Sequence, residues 1–436
     1  MEDPECFTVI IAGAGIAGLA LANMLEKAKI DYIVLEKREI APQIGASISI
    51  QCHTIKIFEQ LGIWQSMYAS TFPLIGRQHF DEHGKLFDDS PIFKSVMEKT
   101  KRPIVFMERH FCLEKLYSNI KNKSQVRANA GIASFTEDES GITVTTDSGQ
   151  RIRGSILVAA DGTHSTVRKL LADSVFKENF ERYRNLRTGF TSSYRTVFGT
   201  STSHLGNGIS RSSLHDGIVH HVYSRNVSGI TTAGGHGRIF WFLFIKEEAM
   251  SRSPNCPRYT DTDTSNAIEM YGHLIATPGY TFRDLWERRI RAGMVPMEEG
   301  VIQASWNNGG RVVLVGDAAS KVKQTTVNAG LGGNLAIEGV CNLANELVQL
   351  VQESRTPTSH DIISAFQRYE HMQRPRAKLS FKVSNYITRY ESMDSFWLRL
   401  LKWLSPWIPL WYKTREILSY IEPAPILNFL PNPDTL

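Results

Sequence analysis

An α/β fold is predicted, with parallel strands contributed from both ends of the chain and a mostly antiparallel sheet in the middle. Three observations predict it. The stretch Val9–Leu25, VIIAGAGIAGLALANML, is apolar, carries glycines at fixed offsets, and is followed by a second short apolar run at Asp31–Leu35. Residues 175–300 are rich in aromatic and β-branched runs such as HHVYSR, SGITTAGG and RIFWFLFI. RVVLVGDAAS then returns to a buried-strand pattern before a long helical run. The two architectures are therefore interleaved, not consecutive.

Taken in order, Phe7–Ala12 reads as a short buried strand, Ile16–Lys29 as a helix and Asp31–Leu35 as a second strand, a β-turn-α-β unit of Rossmann type. A helix is predicted over His53–Leu61. HFDEHGKLFDD carries a turn signal at Glu82-His83-Gly84 between two strand-like runs, so a hairpin is expected. Leu113–Lys121 reads as helical. GITVTTDSGQRIRGSILVAADG alternates, turns at Asp147-Ser148-Gly149 and ends in a buried strand over Ile156–Ala160. Helices are expected near 265–276 and 283–292 within the middle sheet region, and a long one over Asn334–Gln352. The expected division is 1–72, 106–174 and 301–375 for the nucleotide-binding domain, 73–105 and 175–300 for the second domain, and 376–436 for the C-terminal helices.

A chain of 436 residues exceeds a single ordinary core, and 42% hydrophobic with 21% charged residues is the composition of a globular enzyme. The net charge of +5 is spread along the chain without a block of five like charges, so no nucleic-acid footprint is expected. Five cysteines, an odd count without CxxC spacing, fit a reducing, cytoplasmic location. His220 and His221 are adjacent on one strand-like run, so their rings point to opposite faces, and no metal site is expected. The acidic residues before Val9 are the wrong flank for a secretory signal.

Gly13-Ala14-Gly15-Ile16-Ala17-Gly18 sits at the strand-to-helix turn. Gly13 permits the tight turn, Gly15 lets backbone approach a pyrophosphate, and Gly18 lets helix and strand pack closely. Glu36, at the end of the second strand, is placed to accept hydrogen bonds from a ribose. Together these predict a dinucleotide site. A second motif, LVAADGTHSTVRKLL, puts Asp161-Gly162 after a buried strand, with Ser165 and Arg168 at one-turn spacing; a plain helix cap at Asp161 is the simpler alternative. A third, RVVLVGDAAS…NAGLGGN, puts Gly316-Asp317 after another strand. Gly330, Gly332 and Gly333 precede the next helix as a loop whose backbone can approach a ligand.

The order GxGxxG, DG, GD across residues 7–375 resembles the class A single-component FAD-dependent monooxygenases, the para-hydroxybenzoate hydroxylase-like group. The resemblance implies that Glu36 holds the adenosine ribose of FAD. It places Asp161 near the pyrophosphate and the path of a nicotinamide donor, and has Asp317 bind the ribityl chain. Arg109, in MERHFCLEKL, matches an arginine that contacts FAD; as a residue alone it reads as a surface cation on an amphipathic helix. IAPQIGASISI, SYRTVFG, GLGGNLAIE and IEPAPILNFLP are closer still to fungal monooxygenases that epoxidise indole diterpenes and meroterpenoids. In that subgroup Arg195 matches an active-site arginine, and Tyr223 is the candidate for its tyrosine partner. Ser49 stands beside the flavin where glycine is usual, and Ser320 where histidine is usual after GD.

The activity implied is transfer of one oxygen atom from O2 through a flavin C4a-hydroperoxide, with NADPH or NADH as transient donor, to an alkene of a prenylated or terpenoid secondary metabolite. Aromatic hydroxylation, and a flavin oxidase or dehydrogenase without oxygen insertion, are the enzyme alternatives; a fold kept only for binding is the non-enzyme one. On strand alternation, Phe240, Phe242 and Phe244 share one face, while Trp241 and Leu243 share the other. Either set suits a core, and one suits a dry pocket for a small hydrophobic substrate. The tail FWLRLLKWLSPWIPLWYK (Phe396–Lys413) has no uncharged run long enough to span a membrane. Its Trp/Leu face with Arg399 and Lys402 suits a helix peripheral on an intracellular membrane, and a helical pair packed on the domain is the alternative.

Overall fold

The computed structural model describes residues 7–43, 47–202, 217–322, 330–393 and 395–435. A five-stranded parallel sheet has the spatial order Val312–Leu314, Ile156–Ala159, Thr8–Ala12, Asp31–Leu35, Val126–Arg127. Its central strands are near-continuous apolar runs because both faces are covered, one by helices and the other by a three-stranded antiparallel sheet, Ile132–Glu137, Ile142–Thr146 and Arg151–Gly154: Val9, Ile10 and Ile11 are fully buried, as are Ile156, Leu157 and Val158. Helix Ile16–Ala28 and the long helix Leu331–Glu353 pack against this sheet, and the 33-residue helix Ser359–Glu391 packs on the latter. Three chain segments thus supply adjacent strands, as the interleaving predicts.

The second sheet has seven strands, in the order Arg289–Pro296, Thr191–Thr202, Arg238–Arg252, Val227–Gly234, Ile218–Ser224, Gly76–Asp81, Leu86–Ser90. Every pairing is antiparallel except that between Ile218–Ser224 and Gly76–Asp81. The predicted hairpin is its edge, turning at Gly84 with φ +78°. Alternation sorts the aromatic strand as expected. Trp241, Leu243 and Ile245 pack with Val197 against helices Asp261–Tyr271 and Phe282–Glu287, and Phe240, Phe242 and Phe244 turn to the other face. Trp241 Nε1 donates to Ser201 Oγ at 2.8 Å, which satisfies the one polar group of that buried ring.

Local expectations fail in three places. The helix expected near 283–292 stops at Glu287; Arg289–Pro296 is instead the edge strand paired with Thr191–Thr202, because a sheet partner overrides weak local propensity. The helix expected from Leu113 begins at Arg109. Gly332 and Gly333 lie in the first turn of helix Leu331–Glu353, not in a preceding loop.

Beyond the sheets, helices Phe396–Leu404 and Leu410–Ile421 lie along the hairpin edge, where Lys413 Nζ pairs with Asp88 at 3.2 Å and Lys402 lies over the Phe87 ring. A charge cluster built on the buried His53 and Glu338 ties this end to the cofactor-side helices. His53 Nε2 meets Glu338 Oε1 at 2.9 Å, Arg376 Nη2 donates to Glu338 Oε2 at 2.8 Å, and Arg376 stacks on Tyr420.

Candidate active site

The turn after Thr8–Ala12 is shaped by its glycines. Gly13 has φ +96°, a conformation that favours glycine. A Cβ on Gly18 would stand 1.9 Å from the Gly13 carbonyl oxygen, so helix and strand touch there. At Gly15 a Cβ would meet nothing nearer than Arg109 Nη2 at 4.0 Å. That glycine is not needed for packing and leaves room for a ligand. Gly15 is also the N-cap of a 13-residue helix and makes no side-chain cap, so the first-turn N–H groups point into open space suited to an anion.

Two cavities meet at this turn. One, of about 260 Å³, is lined by Gly13, Gly15, Glu36, Arg38, Arg109 and Asp161. The other, of about 420 Å³, runs from Gly15 and Arg109 past Ser49 and Asp317 to the antiparallel sheet. They share Gly15, Arg109, Ala160 and Gly162, so they form one channel. The residues fit FAD. Glu36 would hold the ribose, the uncapped helix terminus the pyrophosphate, and Asp317 the chain beyond it. The Ser49 hydroxyl and Asp161 Oδ1 are buried without a hydrogen-bond partner among the described residues. Glu36 at present accepts from the Ala14 N–H at 2.8 Å and the Arg38 N–H at 3.0 Å, which fixes its carboxylate at the mouth.

Arg109 is the first residue of its helix and reaches the turn from the far wall, so the apparent surface cation faces the channel. Asp161 accepts from the Val167 N–H at 3.1 Å, and Ser165 caps the same helix through the Arg168 N–H at 2.9 Å. Burial pushes the Asp161 carboxyl up, against these hydrogen bonds. Asp317 accepts from Lys321 Nζ at 3.0 Å, and Lys321 also donates to Thr163 at 2.6 Å. Gly333 lines the inner cavity beside Ile48.

Sequence reasoning placed Arg168 on the helix after the DG turn without giving it a role, and gave Asn334 none beyond the start of its helix. Arg168 is buried and donates to the carbonyls of Leu186, Ala318 and Thr163, tying the DG turn to the GD turn. Burial lowers its pKa to about 10. Asn334 donates to the Ser49 carbonyl at 2.9 Å and accepts from the Gln51 N–H at 3.0 Å, which clamps strand Ser47–Ile50 onto the channel. Their signal was an arginine and an asparagine in otherwise apolar buried runs.

The antiparallel sheet closes the channel with Thr196, Phe198, Ile230, Phe242, Phe244 and Val295. Phe242 and Phe244 stack with ring planes 4° apart. Arg195 and Tyr223 are not brought together. Arg195 alternates with Thr196 and so projects from the opposite face, where it pairs with Glu247 at 2.8 Å and lies over the Tyr259 ring. Tyr223 is on the channel face but buried two strands away from the Phe244 strand, bonded to His79 Nδ1 at 2.7 Å and near Glu391. His221 is stacked between strands on the same side as His79, and His220 stacks with Phe80 on the other, as alternation requires. Among the described residues no cluster suits a metal ion.

The profile of the family described as "FAD binding domain" matches residues 6–201 and 290–380. The FAD-dependent monooxygenase janM of Penicillium janthinellum is 33% identical over 89% of this chain and 78% of its own. The FAD-dependent monooxygenase ausM of Penicillium brasilianum is 31% identical over all of this chain and 90% of its own. Among solved structures, Klebsiella pneumoniae HpxO complexed with FAD and uric acid superimposes with a TM-score of 0.75 at 17% identity, covering 96% of this chain and 97% of its own. CtdE with FAD and a substrate gives 0.70 at 17%, covering 95% and 99%. These two show the shared fold. With its three-segment sheet, uncapped glycine turn and continuous channel, the chain belongs to the FAD-binding-domain family and is an FAD-dependent monooxygenase.

Proposed function

We propose that the enzyme epoxidises an alkene of a prenylated or terpenoid fungal secondary metabolite, using O2 and a reduced nicotinamide donor. The observation that carries this reading is the sheet wall of the channel, where Phe198, Ile230, Phe242, Phe244 and Val295 offer an apolar surface with Thr196 as its polar side chain. Bound FAD supplies the chemistry that activates O2. Glu36, the uncapped turn and Arg109 bind it, Asp317 and Ser49 orient its inner end, and the aromatic wall excludes water and holds the alkene. Aromatic hydroxylation by the same cofactor is the second reading, favoured by the stacked Phe242 and Phe244 rings, which suit a planar guest. For Arg195 we propose a supporting role behind the wall, and for Tyr223 one beside it on the same face of the sheet. Turnover under 18O2 decides: an 18O-labelled epoxide supports the first reading and a labelled phenol the second. Unlabelled dehydrogenated product overturns both.

We also propose contact with an anionic lipid surface. No helix of the described residues is long and apolar enough to cross a membrane. Yet Phe396, Trp397, Leu400, Leu404, Trp407 and Trp411 are exposed in one stretch, Trp407 at 79%. No acidic residue occurs from Ser395 to Arg415, while Arg399, Lys402 and Arg415 do. A cytoplasmic location at such a surface fits Cys52, Cys112, Cys256 and Cys341, which are free thiols.

A further inference from the structure

A cavity of about 900 Å³, larger than either part of the flavin channel, opens between helix Phe180–Thr188, strand Gly300–Val301 and helix Ser359–Glu391. Four cationic side chains line it: Arg184, Arg252, Lys378 and Lys382. Glu299 is the single acidic one. The four come from three separate elements, and none forms an ion pair with a described residue. A cleft lined by one sign of charge concentrates counter-ions of the other.

Its position relates it to the reaction. Glu299 lines this cavity and Val295 the flavin channel, four residues apart on one stretch of chain. Thr191 and Thr196 stand in the same relation along another strand. Chain length limits those separations to about 14 Å and about 18 Å. Gly300–Val301 also pairs with Ser320–Lys321, the strand that follows Asp317. An extended dinucleotide is long enough to span such a distance. The chain has one GxGxxG turn, and the flavin channel already uses it. A second dinucleotide therefore needs side-chain cations for its phosphates.

We propose that this basic cavity docks the phosphates of the nicotinamide donor and, with four positive charges, selects NADPH over NADH. Half-buried Phe381 gives the adenine a ring to rest on. The inference rests on the reading of the enzyme as nicotinamide-dependent and adds the donor's identity and its docking residues.

The test uses the full chain loaded with FAD and two double variants, Lys378→Glu/Lys382→Glu and Arg184→Gln/Arg252→Gln. Calorimetric titration with NADP+ and NAD+ reads binding without turnover. Each double variant is expected to weaken NADP+ by about tenfold or more, the loss of two charge-assisted contacts. NAD+ should change less, and the flavin spectrum and Tm should stay at their wild-type values. Wild-type affinity for NADP+ should also fall with added salt. Wild-type NADP+ affinity in both double variants, or equal wild-type affinity for NADP+ and NAD+, overturns the proposal. The 18O experiment is independent: unlabelled product with intact charge-dependent NADP+ binding sinks the oxygenation reading and leaves this site standing.

Discussion

Taking the protein from pH 6 to about 10 discharges His53 and should cost it stability. Burial alone would lower the pKa of this fully enclosed imidazole, but the adjacent Cys52 and the Glu338 carboxylate at 2.9 Å outweigh burial and lift it to about 9. Glu338 is held below the usual carboxylate range: burial opposes this, and His53 and Arg376 overcome it. With the unfolded value at 6.5, the shift corresponds to roughly 3 kcal/mol. Because the folded pKa is raised, that stabilisation is complete below pH 6.5 and disappears as the pH rises through about 9. Urea unfolding at intervals across this window measures it. The wild type should lose roughly 3 kcal/mol more than His53→Gln, whose side chain does not titrate. Identical pH slopes for the two proteins would refute the charged His53–Glu338 pair. Glu338→Gln should cost roughly 3–5 kcal/mol at neutral pH, since it strands Arg376 in the interior.

Gly15→Ala should fold with wild-type Tm but purify without flavin, because its Cβ enters open channel. Gly18→Ala should instead fail to accumulate as folded protein, since its Cβ collides with the Gly13 carbonyl; a soluble, yellow Gly18→Ala protein would contradict the packing. Arg195→Ala should retain FAD and most of its turnover, with a stability loss of about 1 kcal/mol or less for a partly exposed ion pair; loss of product with intact FAD would return Arg195 to the reaction. Trp397→Ser with Trp407→Ser should abolish co-flotation with anionic liposomes at unchanged Tm. That pair is preferable to truncation near Arg389, which would also remove the buried Ile421 and Leu427.

Local chemistry made the cofactor end legible. A glycine needed for a tight turn, a glycine needed for contact and an acid at a strand end are each demanded by short-range geometry, and Gly13, Gly18 and Glu36 stand where that geometry puts them. Strand alternation likewise sorted Phe242 from Trp241 without knowledge of the neighbours. What escaped depended on partners distant in sequence. Arg289–Pro296 is a strand because Thr191–Thr202 lies beside it, and Arg109 faces inward because its helix begins across the channel from the turn at Gly15. Arg195 carried a charge that suits either face of a strand, and its direction followed from Glu247, which no local pattern reveals.

The order of strands in the parallel sheet has a consequence for synthesis. Thr8–Ala12 emerges first from the ribosome and soon meets one neighbour, Asp31–Leu35, yet the neighbour on its other side begins at Ile156, and the next strand out begins at Val312. At about 5–20 residues per second, the open edge of this first strand pair waits roughly 8–30 s for its partner and about twice that for the sheet to be completed. Nascent chains stalled before residue 312 should therefore be clients of chaperones and unable to retain flavin, whatever the quality of the glycine turn they already carry.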